Sequence, residues 1–318
     1  MKVLYFTRSQ SPHDLRFTSA LAETRHKVFV LCLEPDGHHK WPGGIYEVAW
    51  PGIDMRQGWL VARAQLGRLK TVLETIKPDL VHAGPIQNAA WLTALTGFHP
   101  LVSMSWGYDL MLDAGRNEIM RRLTRFTLAH SDVLVGDSSC VGEKAHFLGF
   151  GLENYRQFPW GVDLNHFSPV GTSSLREKLG WQDKTVMLST RSFEPIYGVD
   201  VLIKAFAQAS KGDPQLRMLI LGRGTLEKKL KILAKSLGLG DKVAFHGTAS
   251  TSELPDVYRS ADLYMSASHS DGSSVSLMEA LACGLPVLVS DIPGNREWVF
   301  DGQQGWLFKD GDVQDCNR

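Results

Sequence analysis

Two carboxylates, Asp271 and Glu279, lie eight positions apart across a run of small residues in the second half of the chain. The hydrophobic pattern around them predicts a buried strand over Leu263–Met265, a tight loop over 271–274, a short helix over Leu277–Cys283 and a further strand over Pro286–Ser290. A strand, a helix and a strand in this order form a βαβ unit. Both acids are therefore expected at the mouth of that unit.

The chemistry of such a mouth favours a ligand with both phosphate and hydroxyl groups. Free backbone N–H groups and the helix dipole at a helix start attract a phosphate. Carboxylates repel a phosphate, but they accept hydrogen bonds from sugar or ribose hydroxyls. Phosphate together with a polyol indicates a nucleotide sugar.

Each acid also has a purely structural interpretation. Ser276 and Glu279 have the spacing of a capping box, in which the glutamate closes the N-terminus of its own helix. Asp271 followed by Gly272 is a common turn pair. Both interpretations stay open at this level, and the elements around the two acids must be considered next.

The composition is that of an ordinary globular protein with room for two domains. The 318 residues include 34 Lys and Arg against 34 Asp and Glu, so the net charge is zero and the positive field of a nucleic-acid binder is absent. Its four cysteines, Cys32, Cys140, Cys283 and Cys316, show no zinc or C-x-x-C spacing and are interpreted as reduced. The N-terminal residues lack the apolar core of a signal peptide, and we expect a cytoplasmic protein.

Strand and helix signals alternate through both halves of the chain. In the first half, strands are predicted at KVLYFT, KVFVLCL, PDLVHA, PLVSMS and DVLVGD, with helices through Leu21 and over Gln57–Ile76, Asn88–Leu95, Gly115–His130 and Ser138–Leu148. In the second half, strands are predicted at TVMLST, LRMLILG, KVAFHG and DLYMSAS, with helices over Val199–Ala209, Thr225–Leu237 and Leu254–Arg259. Such alternation predicts parallel, doubly wound sheets that bind ligands at the carboxyl ends of their strands.

A segment with two prolines and a glycine, residues 158–169, interrupts this alternation. We place the domain boundary after it, which gives an N-terminal domain over 1–168 and a C-terminal domain over 169–318. Two similar α/β domains facing each other would enclose a cleft. Few residues follow the strand-like run GWLFK, and a domain of this pattern usually adds another helix, so the C-terminal domain is expected to be incomplete.

At this point the sequence resembles the retaining glycosyltransferases of family 4, which have the two-domain GT-B fold. The motifs that carry the resemblance, in order, are WGVD with FSP at 160–169, STR at 189–191, LGRG at 221–224, FHG at 245–247, the acid pair, GNRE at 294–297 and the segment 302–308. The family's acid pair is Glu, seven residues, Glu, and Asp271 occupies the first place here. The resemblance spans nearly the whole chain.

The resemblance implies roles for individual residues. Asp271 would contact hydroxyls of the donor sugar and Glu279 the ribose hydroxyls, while the amides of the small-residue loop would lie against the sugar and diphosphate. Arg191 would bind the leaving diphosphate as negative charge develops on it. Beside these catalytic candidates, the donor-binding group comprises Gly222, Arg223, Gly272, Ser273, Ser274 and Tyr197.

Tyr197 is a departure from the family pattern, which usually has a lysine before the glycine at 198. The missing cation leaves two alternatives. Either Tyr197 donates a weaker hydrogen bond, or another cation, namely Arg223, Arg296 or Arg16, takes the place of the lysine. Loss of a charge-assisted hydrogen bond costs roughly 1.5–3 kcal/mol.

The first half also departs from the family. Ser9 to Arg16 replace a glycine-rich loop after the first strand, and Trp106 stands where relatives often have a histidine. We expect acceptor contacts from His13, Asp14, Arg16, Trp106 and Asp109. A Trp106 packed into the core is an equal alternative to a sugar platform.

The function implied is retaining transfer of a sugar from a nucleotide-sugar donor to a glycan, lipid-linked or small-molecule acceptor, as in polysaccharide or glycolipid synthesis. No cofactor and no metal are expected. The motif Asp310-Gly311-Asp312 resembles the metal-binding D-x-D of the other glycosyltransferase fold, but we interpret it as a turn.

One predicted helix carries a basic face formed by Arg116, Arg121, Arg122 and Arg125. This face allows peripheral contact with the inner face of a membrane, or it is an ordinary solvated helix face.

Two alternative functions remain. A glycosyltransferase-like subunit could bind nucleotide sugars with weak or no catalysis, because the family's lysine is absent. A nucleotide-dependent epimerase or dehydrogenase is the second alternative. Against it, Gly222-Arg223-Gly224 lacks the third glycine of the dinucleotide fingerprint, and no such motif follows the first strand.

Overall fold

The computed structural model describes residues 1–34, 40–50, 63 and 65–317. The chain divides into two compact units, Met1–Pro159 and Trp160–Arg318. This division falls earlier than the boundary expected after residue 168. The reason is that the Phe167 side chain, only 6% exposed, packs in the core of the second unit, where its ring lies 6.0 Å from that of Tyr258.

The first unit contains a sheet of seven parallel strands in the order β3-β2-β1-β4-β5-β6-β7. The strands are β1 (Lys2–Ser9), β2 (Lys27–Glu34), β3 (Ile45–Glu47), β4 (Leu80–Gly84), β5 (Leu101–Met104), β6 (Val133–Gly136) and β7 (Tyr155–Gln157). The helices are α1 (Pro12–Ala22), α2 (Leu66–Ile76), α3 (Trp91–Thr96), α4 (Tyr108–Met111), α5 (Glu118–Ala129) and α6 (Ser139–Phe147).

The predicted alternation of strands and helices in this unit is confirmed, with exceptions at the sheet edges. Strands β3 and β7 were not predicted, since each has only three residues and all six are exposed or half-buried. A π-helical turn over Ile86–Ala90 precedes α3 and overlaps the start of the predicted Asn88–Leu95 helix. Most of the predicted helix segment before Leu66, from Gln57, lies outside the described residues.

The second unit contains a sheet of six parallel strands in the order β10-β9-β8-β11-β12-β13. The strands are β8 (Thr185–Ser189), β9 (Leu216–Leu221), β10 (Val243–Gly247), β11 (Leu263–Ser266), β12 (Val287–Ser290) and β13 (Gly305–Phe308). The helices are α7 (Leu175–Leu179), α8 (Val199–Gly212), α9 (Glu227–Ser236), α10 (Leu254–Arg259), α11 (Val275–Ala282), α12 (Pro293–Arg296) and α13 (Val313–Asn317).

Both faces of this second sheet are covered by apolar cores. Along β9, Leu219 and Leu221 point into one core while Met218 and Ile220 point into the other, and all four side chains are buried. Continuous apolar strands of this kind are typical of parallel sheets with helices on both faces. The last helix, α13, packs against α8 and buries Cys316.

The strand order places a topological switch point in the middle of the second sheet. From β8 the chain continues through β9 and β10 on one side, and then crosses to β11, β12 and β13 on the other. The carboxyl ends of β8 and β11 are therefore neighbours with diverging connections, and this is where open α/β sheets bind ligands. Arg191 follows β8, and Asp271 follows β11.

None of the described helices is long and apolar enough to cross a membrane. Helix α5 carries the predicted basic face, with Arg121, Arg122 and Arg125 exposed on it. Arg121 and Arg122 both form ion pairs with Glu118 in the first turn of that helix.

Candidate active site

Arg191 and Asp271 form an ion pair at the switch point of the second unit. Arg191 Nη2 donates to Asp271 Oδ2 at 2.6 Å, and Arg191 is only 8% exposed. Nη1 of the same guanidinium donates to Ser274 Oγ at 2.8 Å and to Ser276 Oγ at 3.0 Å. The two residues predicted to act on the diphosphate and on the sugar are thus in direct contact.

The charge state of Arg191 follows from these partners. Burial by itself lowers the pKa of Arg191, but the charge of Asp271 and its hydrogen bond raise that pKa above its usual value. The guanidinium therefore carries its positive charge at every pH at which the protein is folded. A fixed, buried cation of this kind can stabilise negative charge on a leaving diphosphate.

Tyr197 contacts Arg191 through its ring rather than replacing the family's lysine as a cation. The guanidinium carbon of Arg191 lies 4.1 Å from the centroid of the Tyr197 ring, which is a cation–π contact. Tyr197 ends a short 3₁₀ turn, and the amide of His269 donates to the Ile196 carbonyl in that turn at 2.8 Å. The ring limits the positions that the Arg191 side chain can adopt.

The three alternative cations occupy different positions. Arg296 donates twice to Asp291, at 2.5 and 2.9 Å, and 60% of its side chain is exposed. Arg223 is exposed in the turn after β9, on the same edge of the sheet as Arg191. Arg16 belongs to the first unit. Arg223 is therefore an exposed cation on the Arg191 edge of the second sheet, whereas Arg296 is paired with Asp291.

Helix α11 begins earlier than predicted, and this changes the interpretation of Glu279. Its N-cap is Ser274, whose Oγ accepts a hydrogen bond from the Leu277 amide at 3.4 Å, and its first residue is Val275. Ser276 is therefore inside the helix and cannot form a capping box with Glu279. The structural alternative for Glu279 is wrong, because the sequence offers two serines two positions apart and the helix uses the first.

The Glu279 carboxylate instead accepts a hydrogen bond from a buried tyrosine. Tyr258 Oη, on α10, donates to Glu279 Oε2 at 2.8 Å. The Glu279 side chain on α11 is thus bound by a residue of the neighbouring helix α10. An ionised carboxylate at this place can also accept hydrogen bonds from ligand hydroxyls.

The loop between β11 and α11 is held from three directions. Asp271 Oδ1 accepts from the Gly272 amide at 3.1 Å, while Oδ2 of the same carboxylate binds Arg191. Ser273 Oγ accepts from the indole N–H of Trp298 at 3.1 Å. Ser273 and Ser274 are each only 3% exposed, so their side chains support the loop rather than face solvent.

Gly294 of α12 lies against the backbone of this loop. A Cβ atom at position 294 would lie 2.1 Å from the Gly272 carbonyl oxygen and 2.6 Å from that of Asp271. Only glycine allows this close approach. The GNRE motif at 294–297 therefore supports the acid-bearing loop through its glycine.

Replacing Gly294 with alanine is expected to lower the free energy of unfolding by about 1–3 kcal/mol, because the added methyl group must push the 271–272 backbone aside. Gly212→Ala is the matched control, since a Cβ there meets nothing within 4 Å. The urea midpoint of both variants measures the difference. Equal midpoints for Gly294→Ala and the native protein would contradict the close contact.

The glycine-rich turn after β9 has a structural role that the sequence did not reveal. A Cβ at Gly222, where φ is +152°, would lie 2.4 Å from the Arg191 carbonyl oxygen. The Gly222 amide donates to the Gly247 carbonyl at 2.7 Å, and the Phe193 amide donates to the Arg223 carbonyl at 2.9 Å. The turn thus holds the Arg191 loop in place at the edge of the sheet.

In the first unit, the structure brings His13 and Trp106 together. Their ring centroids are 5.7 Å apart, at the carboxyl edge of the sheet after β1 and β5. Burial, and then the charge of Arg16, lower the pKa of His13, so that the imidazole is neutral near pH 7. Trp106 is half-buried, so its ring is neither fully packed in the core nor fully exposed to solvent. Arg16 is exposed.

Asp14 and Asp109 have structural partners, in contrast to the predicted acceptor contacts. Asp14, 1% exposed, forms a capping box with Ser11 at the start of α1 and accepts from Tyr5 Oη at 2.9 Å. Asp109 is completely buried and accepts from four donors, the Ser105 hydroxyl and the amides of residues 86, 106 and 110. We therefore remove both from the acceptor group. Burial raises the pKa of Asp109 despite these bonds.

Sequence reasoning missed three residues that support the site. Tyr258 donates to Glu279. Ser276 Oγ accepts from Arg191, and it also accepts from Tyr264 Oη at 2.8 Å. Both tyrosines are fully buried. The available signal was a tyrosine beside apolar residues in each of two elements, because a buried tyrosine hydroxyl needs a partner.

The predicted turn at 310–312 is confirmed, and its carboxylates have local partners. Asp310 Oδ1 lies 2.6 Å from His269 Nδ1, and Asp312 Oδ1 accepts from two amides at the start of α13. Within the described ranges, no group of three or more His, Cys, Asp or Glu side chains is arranged to hold a metal ion.

Two family models match the chain, one in each half. Residues 2–138 match the glycosyl transferase 4-like model, and residues 172–318 match the model of glycosyl transferases group 1. The second match contains Arg191, the glycine-rich turn and both acids. Together the two matches include most of the chain.

Curated relatives give the same assignment over shorter segments. A D-inositol 3-phosphate glycosyltransferase from Geodermatophilus obscurus is 34% identical over 264 residues, covering 74% of this chain and 58% of the relative. One from Streptosporangium roseum is 34% identical over 168 residues, covering 50% and 39%, and mannosylfructose-phosphate synthase from Agrobacterium fabrum is 33% identical over 153 residues, covering 45% and 34%. The chain thus spans less than two thirds of each of these relatives.

Solved structures show the same fold at low sequence identity. HepE from Anabaena in complex with UDP superimposes with a TM-score of 0.81 at 20% identity, covering 100% of this chain and 88% of that one. Sucrose-phosphate synthase from Thermosynechococcus elongatus gives 0.81 at 19% identity with the same coverage. With two matching family models, this fold and the acid pair beside Arg191, the chain belongs to the group 1 (family 4-like) glycosyltransferases of the GT-B fold.

Proposed function

We propose that the protein is a retaining glycosyltransferase that moves a sugar from a nucleotide-sugar donor to an acceptor hydroxyl, in the synthesis of a polysaccharide, glycan or glycolipid. The observation that carries the proposal is the convergence of Arg191, Asp271 and the α11 N-terminus at the switch point, with Glu279 on the same helix. In addition, solved structures of the same fold hold UDP or UDP-glucose, which makes uridine the first base to test.

In the proposed mechanism, the donor diphosphate binds at the N-terminus of α11, beside the Arg191 guanidinium. Negative charge develops on the diphosphate as the bond to the sugar breaks, and the guanidinium together with the helix N-terminus stabilises that charge. The acceptor hydroxyl attacks from the same face that the diphosphate leaves. Its proton passes to the leaving phosphate oxygen, and the anomeric configuration is retained.

Each carboxylate has a separate task in this scheme. Asp271 accepts hydrogen bonds from hydroxyls of the donor sugar, and Glu279 accepts from the ribose hydroxyls, so the two acids hold the two ends of the donor. Because the cation that faces the diphosphate is a protein side chain, we propose that the reaction requires no metal. His13 and Trp106 are the proposed acceptor contacts in the first unit.

An assay of nucleotide release from UDP-, GDP- and ADP-sugars tests this proposal. We expect one donor to be turned over in the presence of EDTA, with a product whose anomeric signal by NMR matches that of the donor. Donor binding without hydrolysis or transfer would instead identify a binding subunit, in line with the ring of Tyr197 in place of a lysine. Inversion of the anomeric centre would contradict the mechanism.

We further propose that α5 allows peripheral contact with an anionic membrane. Arg116 and Arg125 are exposed on or beside this helix, and Ile119 is 58% exposed between them. Basic and apolar residues on one exposed face favour anionic lipid surfaces. We expect the protein to sediment with phosphatidylglycerol vesicles and not with phosphatidylcholine vesicles, and an Arg116→Glu, Arg125→Glu variant to lose this binding. Equal sedimentation with both vesicle types would contradict the proposal.

A further inference from the structure

A buried hydroxyl, that of Tyr258, binds the Glu279 carboxylate. Glutamate on a helix surface has several rotamers of similar energy, so a carboxylate that must meet a ligand needs a second contact to fix it. Tyr258 Oη provides that contact at 2.8 Å, and Tyr258 is 0% exposed. The ring of Tyr258 is in turn packed in the core of the second unit.

The same hydroxyl also contacts the loop that carries Arg191. Thr190 Oγ lies 3.1 Å from Tyr258 Oη, and the Ser276 carbonyl oxygen lies 3.2 Å from it. A phenol has one proton to donate, and the charged Glu279 oxygen is the stronger and nearer acceptor. Thr190 therefore donates to Tyr258, and Tyr258 donates to Glu279, which gives a chain of hydroxyls from β8 to α11.

The Tyr258 hydroxyl stays protonated in this arrangement. Burial, and then the charge of Glu279, raise the pKa of Tyr258 well above its usual value. The phenol therefore remains a donor throughout the pH range of a binding experiment.

We propose that Tyr258 is a positioning residue that orients the Glu279 carboxylate to receive the ribose hydroxyls of the donor nucleotide. The inference rests on the proposed function and adds a residue that does not itself touch the donor. A carboxylate has about four acceptor positions, so one hydrogen bond from Tyr258 is compatible with further bonds from a ligand.

Tyr264 is a matched control within the same core. It is also fully buried, and its ring centroid lies 6.2 Å from that of Tyr258. Its hydroxyl, however, donates to Ser276 Oγ, which binds Arg191 rather than Glu279. Phenylalanine at either position removes one buried hydroxyl from the same core, but the two changes affect different ends of the donor.

The experiment measures ribose preference by calorimetry. The probe is whichever of UDP, GDP and ADP binds the protein most tightly, compared with its 2′,3′-dideoxy form. We expect the native protein to prefer the ribonucleotide by about tenfold or more, or about 1.4 kcal/mol. Tyr258→Phe should reduce this preference to about threefold or less, while Tyr264→Phe should keep it.

A double-mutant cycle with Glu279→Gln supports or overturns the inference. If Tyr258 acts through Glu279, the Tyr258→Phe change has no further effect on ribose preference once Glu279 is replaced. A native ribose preference retained by Tyr258→Phe overturns the positioning role but leaves the proposed function intact. No ribose preference in the native protein overturns the ribose contact proposed for Glu279 and the positioning role with it, while sugar transfer is tested separately by nucleotide release.

Thermal unfolding separates positioning from a loss of structure. Tyr258→Phe and Tyr264→Phe should have similar melting temperatures, because each loses one buried hydroxyl. Should Tyr258→Phe fail to fold, Tyr258→Met is the second variant, since methionine fills the same core without a hydroxyl. A lower ribose preference in Tyr258→Met supports the inference, and an unchanged preference overturns it.

Discussion

Replacing Arg191 with alanine is expected to lower kcat for sugar transfer by about a hundredfold or more, the usual loss when a preorganised group that stabilises transition-state charge is removed. Arg191 is the buried cation at the switch point, and both of its Nη atoms donate to side chains of α11 and of the loop between β11 and α11. Initial rates of nucleotide release at saturating donor and acceptor measure the effect.

The control for this prediction is Arg296→Ala. Arg296 is in the same unit, but its side chain is 60% exposed and its partner is Asp291 on the surface. We expect kcat within about threefold of the native value for this variant, since an exposed ion pair contributes little. Arg191→Lys should behave like Arg191→Ala, because an ammonium group cannot reproduce the planar fork of the guanidinium. Native kcat in Arg191→Ala would exclude Arg191 from the reaction.

Replacing Asp271 with asparagine is expected to change binding and turnover in opposite directions. Asp271 Oδ2 holds Arg191 Nη2 at 2.6 Å, so a diphosphate must compete with this carboxylate for the guanidinium. Asparagine removes the competing charge while keeping the size of the side chain. We expect nucleoside diphosphate affinity to rise by about tenfold and transfer to fall by about tenfold or more, since a charge-assisted bond to the sugar is lost.

Calorimetry with the nucleoside diphosphate and initial rates with its sugar test this pair of effects on one variant. Asp291→Asn is the matched control, because that carboxylate also binds an arginine but lies at the surface. It should alter neither quantity by more than about twofold. Weaker diphosphate binding by Asp271→Asn would show that Asp271 assists Arg191 rather than competing with it.

The sequence predicted where the catalytic candidates lie, because parallel α/β sheets follow strong rules. Arg191 and Asp271 each follow a buried apolar strand, and the carboxyl ends of parallel strands share one edge of the sheet. The alternation of apolar strands and helices was therefore sufficient to place both residues on the same edge. It could not show that they bind each other, since that contact depends on side-chain rotamers.

Other errors come from local capping, which depends on where a helix starts. The first-unit acids Asp14 and Asp109 were predicted to face an acceptor, but both buried carboxylates accept hydrogen bonds from amide and hydroxyl groups of other residues in the first unit. For Asp14 the signal was present, since Ser11 and Asp14 have the spacing of a capping box. For Asp109 the local donors are Ser105 and the amides of residues 106 and 110, but the amide of residue 86, on a distant segment, could not be foreseen.

The partners of Tyr258 could not be predicted for a related reason. Thr190 and Glu279 lie 68 and 21 positions from Tyr258 in the sequence. Only the tertiary packing of α10 brings the two hydroxyls and the Glu279 carboxylate together. A single tyrosine in a helix indicates burial, but its hydrogen-bond partner depends on the tertiary structure.

The ion pair at the switch point also constrains the order in which this unit can gain its activity during folding. Arg191 and Asp271 are 80 positions apart, with three strands and three helices between them. Contacts at such separation form late, because a long loop must close before they contribute. During synthesis, the chain must therefore emerge from the ribosome beyond Glu279 before the proposed nucleotide site can form. Nucleotide binding by a nascent chain would therefore report that the second sheet is assembled through β11.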